Sequence, residues 1–268
     1  MLCSVIISTY NSPKWLEHVL EGFAAQSARN FEIIIADDGS DSSTAQLIAQ
    51  YKGVFDSLIH VWHPDEGFRK CEILNKAIVA ATSPYLIFTD GDCIPRADFV
   101  ATHLLERKEH HFLSGGYFKL PLSISQNITK QDIENQRAFN VQWLTKQGLK
   151  KSFKNNKLST SSFMTTFLNF ITTTKPTWNG HNASGWKKDI LAINGFDERM
   201  KYGGEDRELG ERLENKKIHG LQIRYKAICI HLDHARGYVN DVDWERNNNI
   251  RKETKKLKST WTAYGIKK

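Results

Sequence analysis

The sequence predicts an α/β fold: a mostly parallel central sheet flanked by helices, broken by a helical or irregular insertion. Three observations predict it. Short apolar runs of strand length alternate with segments of helical spacing through the first third of the chain, and each run ends in a polar or acidic loop. The 268 residues, 40% apolar and 25% charged, suffice for one sizeable hydrophobic core. Strand–helix alternation makes the strands parallel, and in such sheets ligands bind beyond the strands' carboxyl ends.

The elements follow in order. Val5-Ile6-Ile7 is a first strand, ended by Ser8-Thr9-Tyr10-Asn11, and Ser12-Pro13 supplies an N-cap and a first-turn proline for a helix to about Gln26. Phe31 to Ala36 is a second strand closed by Asp37-Asp38-Gly39-Ser40-Asp41; a helix from Ser43 to Tyr51 and a strand near Leu58–Trp62 come next. Ile73, Leu74, Ala77, Ile78 and Ala81 have helical spacing and lead into the strand Tyr85 to Thr89. The stretch from about Leu122 to Pro176 is polar, basic and weakly patterned, with helical character around Lys130 to Lys146; it reads as a mobile or acceptor-facing insertion over the active face. Order resumes at Trp178-Asn179-Gly180-His181-Asn182-Ala183-Ser184-Gly185-Trp186.

Chemistry concentrates at strand ends. In Asp90-Gly91-Asp92 the two carboxylates lie two residues apart on an extended chain, so they face the same side, and Gly91 leaves room for a phosphate. Oxygen ligands suit Mg²⁺ or Mn²⁺. Asp-Gly is also an ordinary turn dipeptide. No GxGxxG follows the first strand and no GxxxxGK[ST] occurs, so a bound nucleotide must be held by carboxylates and metal. Glu205-Asp206 opens a helix after Gly203-Gly204, either as helix-terminal acids favoured by the macrodipole or as a general base. His231 ends the apolar strand Ala227 to Ile230 and is a better candidate to complete a metal shell than His234.

The net charge of +7 is uneven, with basic bias from Ser123 to Lys175 and from Arg251 to Lys268. Such a rim meets an anionic partner or is a solvated face. Four separated cysteines form no disulfide framework, and the N-terminal apolar run is too short for a signal or a span. The expected location is the cytoplasm, with peripheral contact at the inner face of the membrane carried by Lys252, Lys255, Lys256 and Lys258.

As a set, Ser4 to Asn11, Glu32 to Asp41 and Tyr85 to Asp92 resemble family 2 glycosyltransferases of the GT-A fold. Asn182 to Leu213 and His231-Leu232-Asp233-His234 resemble the carboxyl-terminal segment shared with galactosyltransferases, with Asp233 a departure where an aromatic residue is commoner. The resemblance implies cofactor contacts from Ser8, Tyr10, Asp37, Asp38, Arg69, Asp90, Gly91 and Asp92. It implies metal ligation by Asp92, His231 and Asp90, with Asp206 as base and Glu205 beside it. Trp178, Asn179, His181, Asn182 and Trp186 would face the acceptor. The organisation expected is a nucleotide-sugar-binding half (1–118), a basic insertion (119–177), an acceptor and catalytic half (178–240) and a basic extension (241–268).

The implied activity is inverting transfer from a UDP-sugar (galactose, glucose, N-acetylglucosamine or N-acetylgalactosamine) to a glycan or lipid-linked acceptor, with Mn²⁺ or Mg²⁺, in bacterial surface polysaccharide or lipopolysaccharide synthesis. No nucleic-acid partner is expected. A sugar-nucleotide pyrophosphorylase would carry a Gly-rich basic loop after the first strand, where Ser8 to Pro13 stand. A sugar- or nucleotide-binding module would have little use for the Asp206 region and His231.

Overall fold

A computed structural model describes residues 1–233 and 241–268; His234 lies outside the described residues. The strands are β1 (Cys3–Thr9), β2 (Phe31–Asp37), β3 (Leu58–Trp62), β4 (Tyr85–Asp90), β5 (Cys93–Pro95), β6 (His111–Ser114), β7 (Gly116–Lys119), β8 (Ala183–Trp186), β9 (His219–Gln222) and β10 (Ile228–His231). The helices are α1 (Pro13–Ala24), α2 (Ser42–Gln50), α3 (Lys70–Ala80), α4 (Phe99–Glu106), α5 (Leu122–Ser125), α6 (Lys130–Glu134), α7 (Val141–Lys146), α8 (Ser162–Ile171), α9 (Lys187–Ala192), α10 (Glu205–Asn215) and α11 (Asp241–Leu257).

The main sheet runs β3-β2-β1-β4-β8-β6-β9, with the first four strands parallel and β8 antiparallel to both β4 and β6. A small second sheet has the order β5-β10-β7, with β10 antiparallel to β5 and parallel to β7. Consecutive apolar residues suit a sheet covered on both faces, and β1 shows why. Val5 and Ile7 join Leu16, Val19, Leu20 and Phe23 of α1, whereas Ile6 faces Ile73, Leu74, Ala77 and Ile78 of α3. Each such side chain contributes about 1.5–3 kcal/mol by leaving water. At the start of α1, Pro13 stands at the first turn as expected, but Ser12 makes no capping bond.

The insertion is built from short helices. Thr129 and Asp132 form a reciprocal capping box at α6, and Ile124, Ile133, Leu144 and Leu158 enter the same core as α1. Residues 241–268 are equally integrated: α11 lies on α10, where Thr254 Oγ1 donates to Glu208 at 2.9 Å and Glu208 holds Arg212 in a buried ion pair at 2.7 Å.

A buried polar chain ties the two halves of the sheet together. Asn182 Nδ2 donates to the Gly116 and Ala227 carbonyls (2.7 and 3.1 Å), so its Oδ1 must accept from His103 Nε2–H at 2.9 Å. His103 Nδ1 then accepts from Ser184 Oγ at 2.7 Å, and Ser184 accepts from the Tyr85 hydroxyl at 2.7 Å. A Cβ on Gly115 would stand 1.9 Å from Asn182 Oδ1, so only glycine lets Asn182 seat. Burial lowers the His103 pKa from 6.5 to about 4, with the bond to Asn182 opposing it.

The neutral imidazole is favoured by folding, so this stability is complete above the unfolded pKa and is lost as pH falls from about 6.5 through about 4. From about pH 7 to about pH 4.5 the wild type should therefore lose about 2 kcal/mol more than His103→Gln in denaturant unfolding. Equal losses in the two proteins would remove His103 as the titrating group.

Candidate active site

The β1–β4 register places Ser8 beside Asp90, and Ser8 Oγ donates to Asp90 Oδ1 at 2.7 Å. Lys70, the first residue of α3, reaches the same oxygen at 2.7 Å. Burial would raise the Asp90 pKa, but the Lys70 ammonium and the Ser8 hydroxyl hold the carboxyl well below its usual range. Gly91 N–H donates to the Ser8 carbonyl at 2.7 Å, and a Cβ there would sit 3.0 Å from that oxygen. The glycine is thus accounted for by the close approach of two strand ends.

One turn later the small sheet brings His231 opposite Cys93, so His231 Nε2 lies 3.5 Å from Asp92 Oδ2. Potential ligand atoms of Asp92, Cys93 and His231 all fall within 4.8 Å of one another. Burial keeps the Cys93 thiol pKa far above its ordinary value, so the sulfur stays protonated and donates to Asp92 Oδ1 at 3.3 Å. The remaining donors, carboxylate oxygen and imidazole nitrogen, fit Mn²⁺ or Mg²⁺ better than a soft thiophilic ion. His181 lies beside them, its ring edge-on to Tyr117 at 4.6 Å, and Tyr117 also neighbours His231 at 5.8 Å. Burial lowers the His181 pKa to about 4 despite the nearby Asp90 carboxylate, so the ring is neutral at pH 7.

The third carboxylate group comes from α10. Gly203 and Gly204 both have positive φ (109° and 92°), which turns the chain sharply into the helix. Asn247 of α11 secures that turn by donating to the Lys201 and Gly203 carbonyls, each at 3.0 Å. Glu205 accepts from Gly203 N–H at 2.8 Å, and burial raises its pKa. A Cβ on Gly180 would stand 2.7 Å from Asp206 Oδ2, so glycine there admits the carboxylate. Burial, then the charge of Glu205, push the Asp206 carboxyl up to about 7, against the pull of Lys70. Its Oδ1 is buried without a hydrogen-bond partner among the described residues.

At the far end of the rim the aspartate pair divides. Asp37 is fully buried and spent on the Ser40 N–H and His60, both at 2.8 Å, which does not fit the expected cofactor contact. Asp38 accepts from His63 at 2.7 Å and from Arg69 N–H at 3.0 Å, with burial raising its pKa. Exposed Tyr10 donates to Asp65 at 2.8 Å beside it. The Arg69 guanidinium binds Glu66, Glu72 and the Pro64 carbonyl instead of the Asp90 cluster. Lys70, which sequence reasoning passed over, is the cation in that cluster; its place directly after Arg69 at a helix start was the only signal.

Above Asp206 opens a cleft of about 420 Å³ whose lining includes Asn179, His181, Glu205, Arg207, Arg224 and Trp244. Of the five residues expected to meet an acceptor, Asn179 and His181 line it. Trp178 touches its wall, but the indole is buried between Phe88 and Phe112. Asn182 is consumed by the buried chain through His103. Trp186 pairs with Tyr85 at the opposite end of β4 and donates to the Lys108 carbonyl, far along the strand from Asp90. Motif position gave no information on side-chain direction at these three sites.

A family model described as glycosyl transferase family 2 matches residues 4–170, and one described as N-terminal domain of galactosyltransferase matches residues 172–235. The uncharacterized glycosyltransferase YfnE of Bacillus subtilis (strain 168) is 24% identical over 259 residues, covering 87% of this chain and 65% of that protein. The chondroitin synthase of Escherichia coli is 25% identical over 271 residues, covering 92% of this chain. The chain spans 65% of the first relative's length and 37% of the second's. Among solved structures, S. aureus TarS 1-349 in complex with UDP-GlcNAc superposes with a TM-score of 0.60 at 16% identity, over 89% of this chain and 60% of that one. The mannosyltransferase PcManGT from Pyrobaculum calidifontis, in complex with GDP-Man and Mn²⁺, gives 0.59 at 17% identity, over 88% and 58%. The fold is GT-A.

Removing the Lys70 ammonium leaves Asp90, Glu205 and Asp206 uncompensated. Lys70→Met should cost at least about 2 kcal/mol of stability, more at about pH 8 than at about pH 6, because the carboxylates are fully charged at the higher pH. Denaturant unfolding at both values measures it. Wild-type stability at both would mean the cluster does not depend on Lys70.

Proposed function

The chain belongs to glycosyl transferase family 2, and from that premise we propose that it is a metal-dependent, inverting transferase of a UDP-sugar. The sugar is galactose, glucose, N-acetylglucosamine or N-acetylgalactosamine, and the acceptor is a glycan or lipid-linked glycan of bacterial surface polysaccharide or lipopolysaccharide synthesis. The observation that carries the reading is Asp206, a buried carboxyl with its pKa pushed up to about 7, on the lining of a cleft and near two further acidic groups, Glu205 and Asp90. A base near the working pH combines the correct protonation state with driving force for proton transfer.

Asp38 accepts the imide proton of uracil, with Tyr10 alongside the base. Asp92 and His231, together with Asp90, would hold the cation, and the neutral His181 beside them would keep further positive charge away from it. When bound, the cation neutralises charge on the departing diphosphate. Lys70 adds a fixed positive charge, and Ser8 orients Asp90. Asp206 takes the proton of the acceptor hydroxyl as that oxygen attacks the anomeric carbon; the bond from that carbon to the diphosphate breaks and UDP leaves. A single displacement converts an α-linked donor into a β-linked product. Glu205 keeps Asp206 basic by like charge and meets donor or acceptor hydroxyls. Asn179 and His181 face the acceptor. Four buried free thiols support a reducing, cytoplasmic setting.

A donor panel tests the reading: UDP release with Mn²⁺ should rise for one UDP-sugar once acceptor is supplied, and a panel with no release would overturn it. In Asp206→Asn, UDP affinity should persist while turnover falls roughly 10²- to 10⁴-fold. Near-normal turnover would reduce Asp206 to a helix-terminal acid, since Asn serves that role comparably. In Asp92→Asn, calorimetry should show Mn²⁺-dependent UDP affinity at least about tenfold weaker, because an amide is a poorer ligand for a hard cation. Unchanged affinity would remove Asp92 from the metal shell.

A further inference from the structure

Helix α8 has one face fixed against the protein and another turned away from it. Thr165 and Leu168 are buried, and Asn169 Oδ1 accepts from the Tyr225 N–H at 3.1 Å, which sets the inward side. Opposite them Phe163, Phe167 and Phe170 are exposed, Phe163 by 81% and Phe170 by 88%, with Met164 and Ile171 beside them. At about 100° per residue these five span roughly 120° of the helix. A contiguous apolar ridge of this kind in water marks an interaction surface.

Charge identifies what it meets. The chain has no acidic residue between Glu134 and Asp189, whereas Lys146, Lys150, Lys151 and Lys154 stand exposed in the stretch leading into α8, with Phe153 among them 71% exposed. Exposed aromatic side chains preceded in sequence by exposed lysines with no intervening acid match the headgroup boundary of an anionic bilayer, where rings enter the interface and lysines meet lipid phosphates. A second copy would set like charge against like. The C-terminal basic stretch is less available, because Arg251 and Lys255 both pair with Glu211. Among the described residues no helix is long and apolar enough to cross a membrane.

We propose that the outer face of α8 and the lysines of residues 146–154 form a docking face for an anionic lipid surface. The segment after α8 carries Thr174 and Lys175 into the lining of the cleft above Asp206, so docking brings that cleft close to the bilayer. The proposal stands independently of the transfer chemistry.

Co-sedimentation with vesicles tests it, using phosphatidylglycerol mixed with phosphatidylcholine against phosphatidylcholine alone. The variants are Phe163→Ser/Phe167→Ser/Phe170→Ser, Lys150→Gln/Lys151→Gln/Lys154→Gln and Lys252→Gln/Lys256→Gln/Lys258→Gln, each checked for wild-type thermal unfolding. The wild type should pellet with the anionic vesicles at low salt and be released by high salt. The phenylalanine and the first lysine variants should each bind at least about tenfold more weakly; the C-terminal variant should change less than about twofold. Equal pelleting with neutral vesicles, no pelleting, or wild-type binding by the phenylalanine variant would each overturn the proposal. So would a dimer in solution that the phenylalanine variant dissolves without any vesicle binding.

Discussion

Everything at this site depends on one ammonium group placed among buried acids. Lys70 contacts Asp90 and interacts electrostatically with Glu205 and Asp206. Burial disfavours its charge, yet those three neighbours hold its pKa well above the ordinary lysine value. Because one positive charge cannot serve three carboxylates equally, the group in contact is ionised and the more distant pair is left basic. The surplus of negative charge is what a divalent cation would balance.

The cluster exists because backbones approach one another unusually closely. Gly91 joins the ends of β1 and β4, Gly180 admits the Asp206 carboxylate, and Gly210 lets α10 lie on Trp178, whose Cβ would stand 2.8 Å from an added Cβ. The C-terminal helix completes the arrangement from behind, through Asn247 on the Gly203 turn and Thr254 on Glu208. Residues distant in sequence from the acids therefore set where the acids point.

The strands and the acidic rim were legible because consecutive Val, Ile and Phe fit a sheet buried on both faces, and parallel strands carry their loops to one edge. Asp92 and His231 lie 3.5 Å apart and Glu205 stands beside Asp206, whereas the Asp90 side chain turns to Ser8 and Lys70 and lies outside the Asp92–His231 group. Direction was not legible. Lys70 and Arg69 are neighbours of the same charge, and only the α3 start in three dimensions shows which enters the cluster. Asn182 lies just before β8 and Trp186 ends it, so their closeness in sequence to His181 said little about where their side chains go. Residues 241–268 read as a basic extension because charge masks the few apolar positions by which α11 packs, Ile250 among them.

Burial and the charge of Glu205 hold the Asp206 carboxyl near neutrality. The most direct measurement is an NMR pH titration of carboxyl carbons in protein labelled at aspartate, with the Asp206 signal identified by its loss in Asp206→Asn. A signal titrating near 7 is the predicted result. Titration of every aspartate below about 5, in the ordinary carboxylate range, would contradict the account.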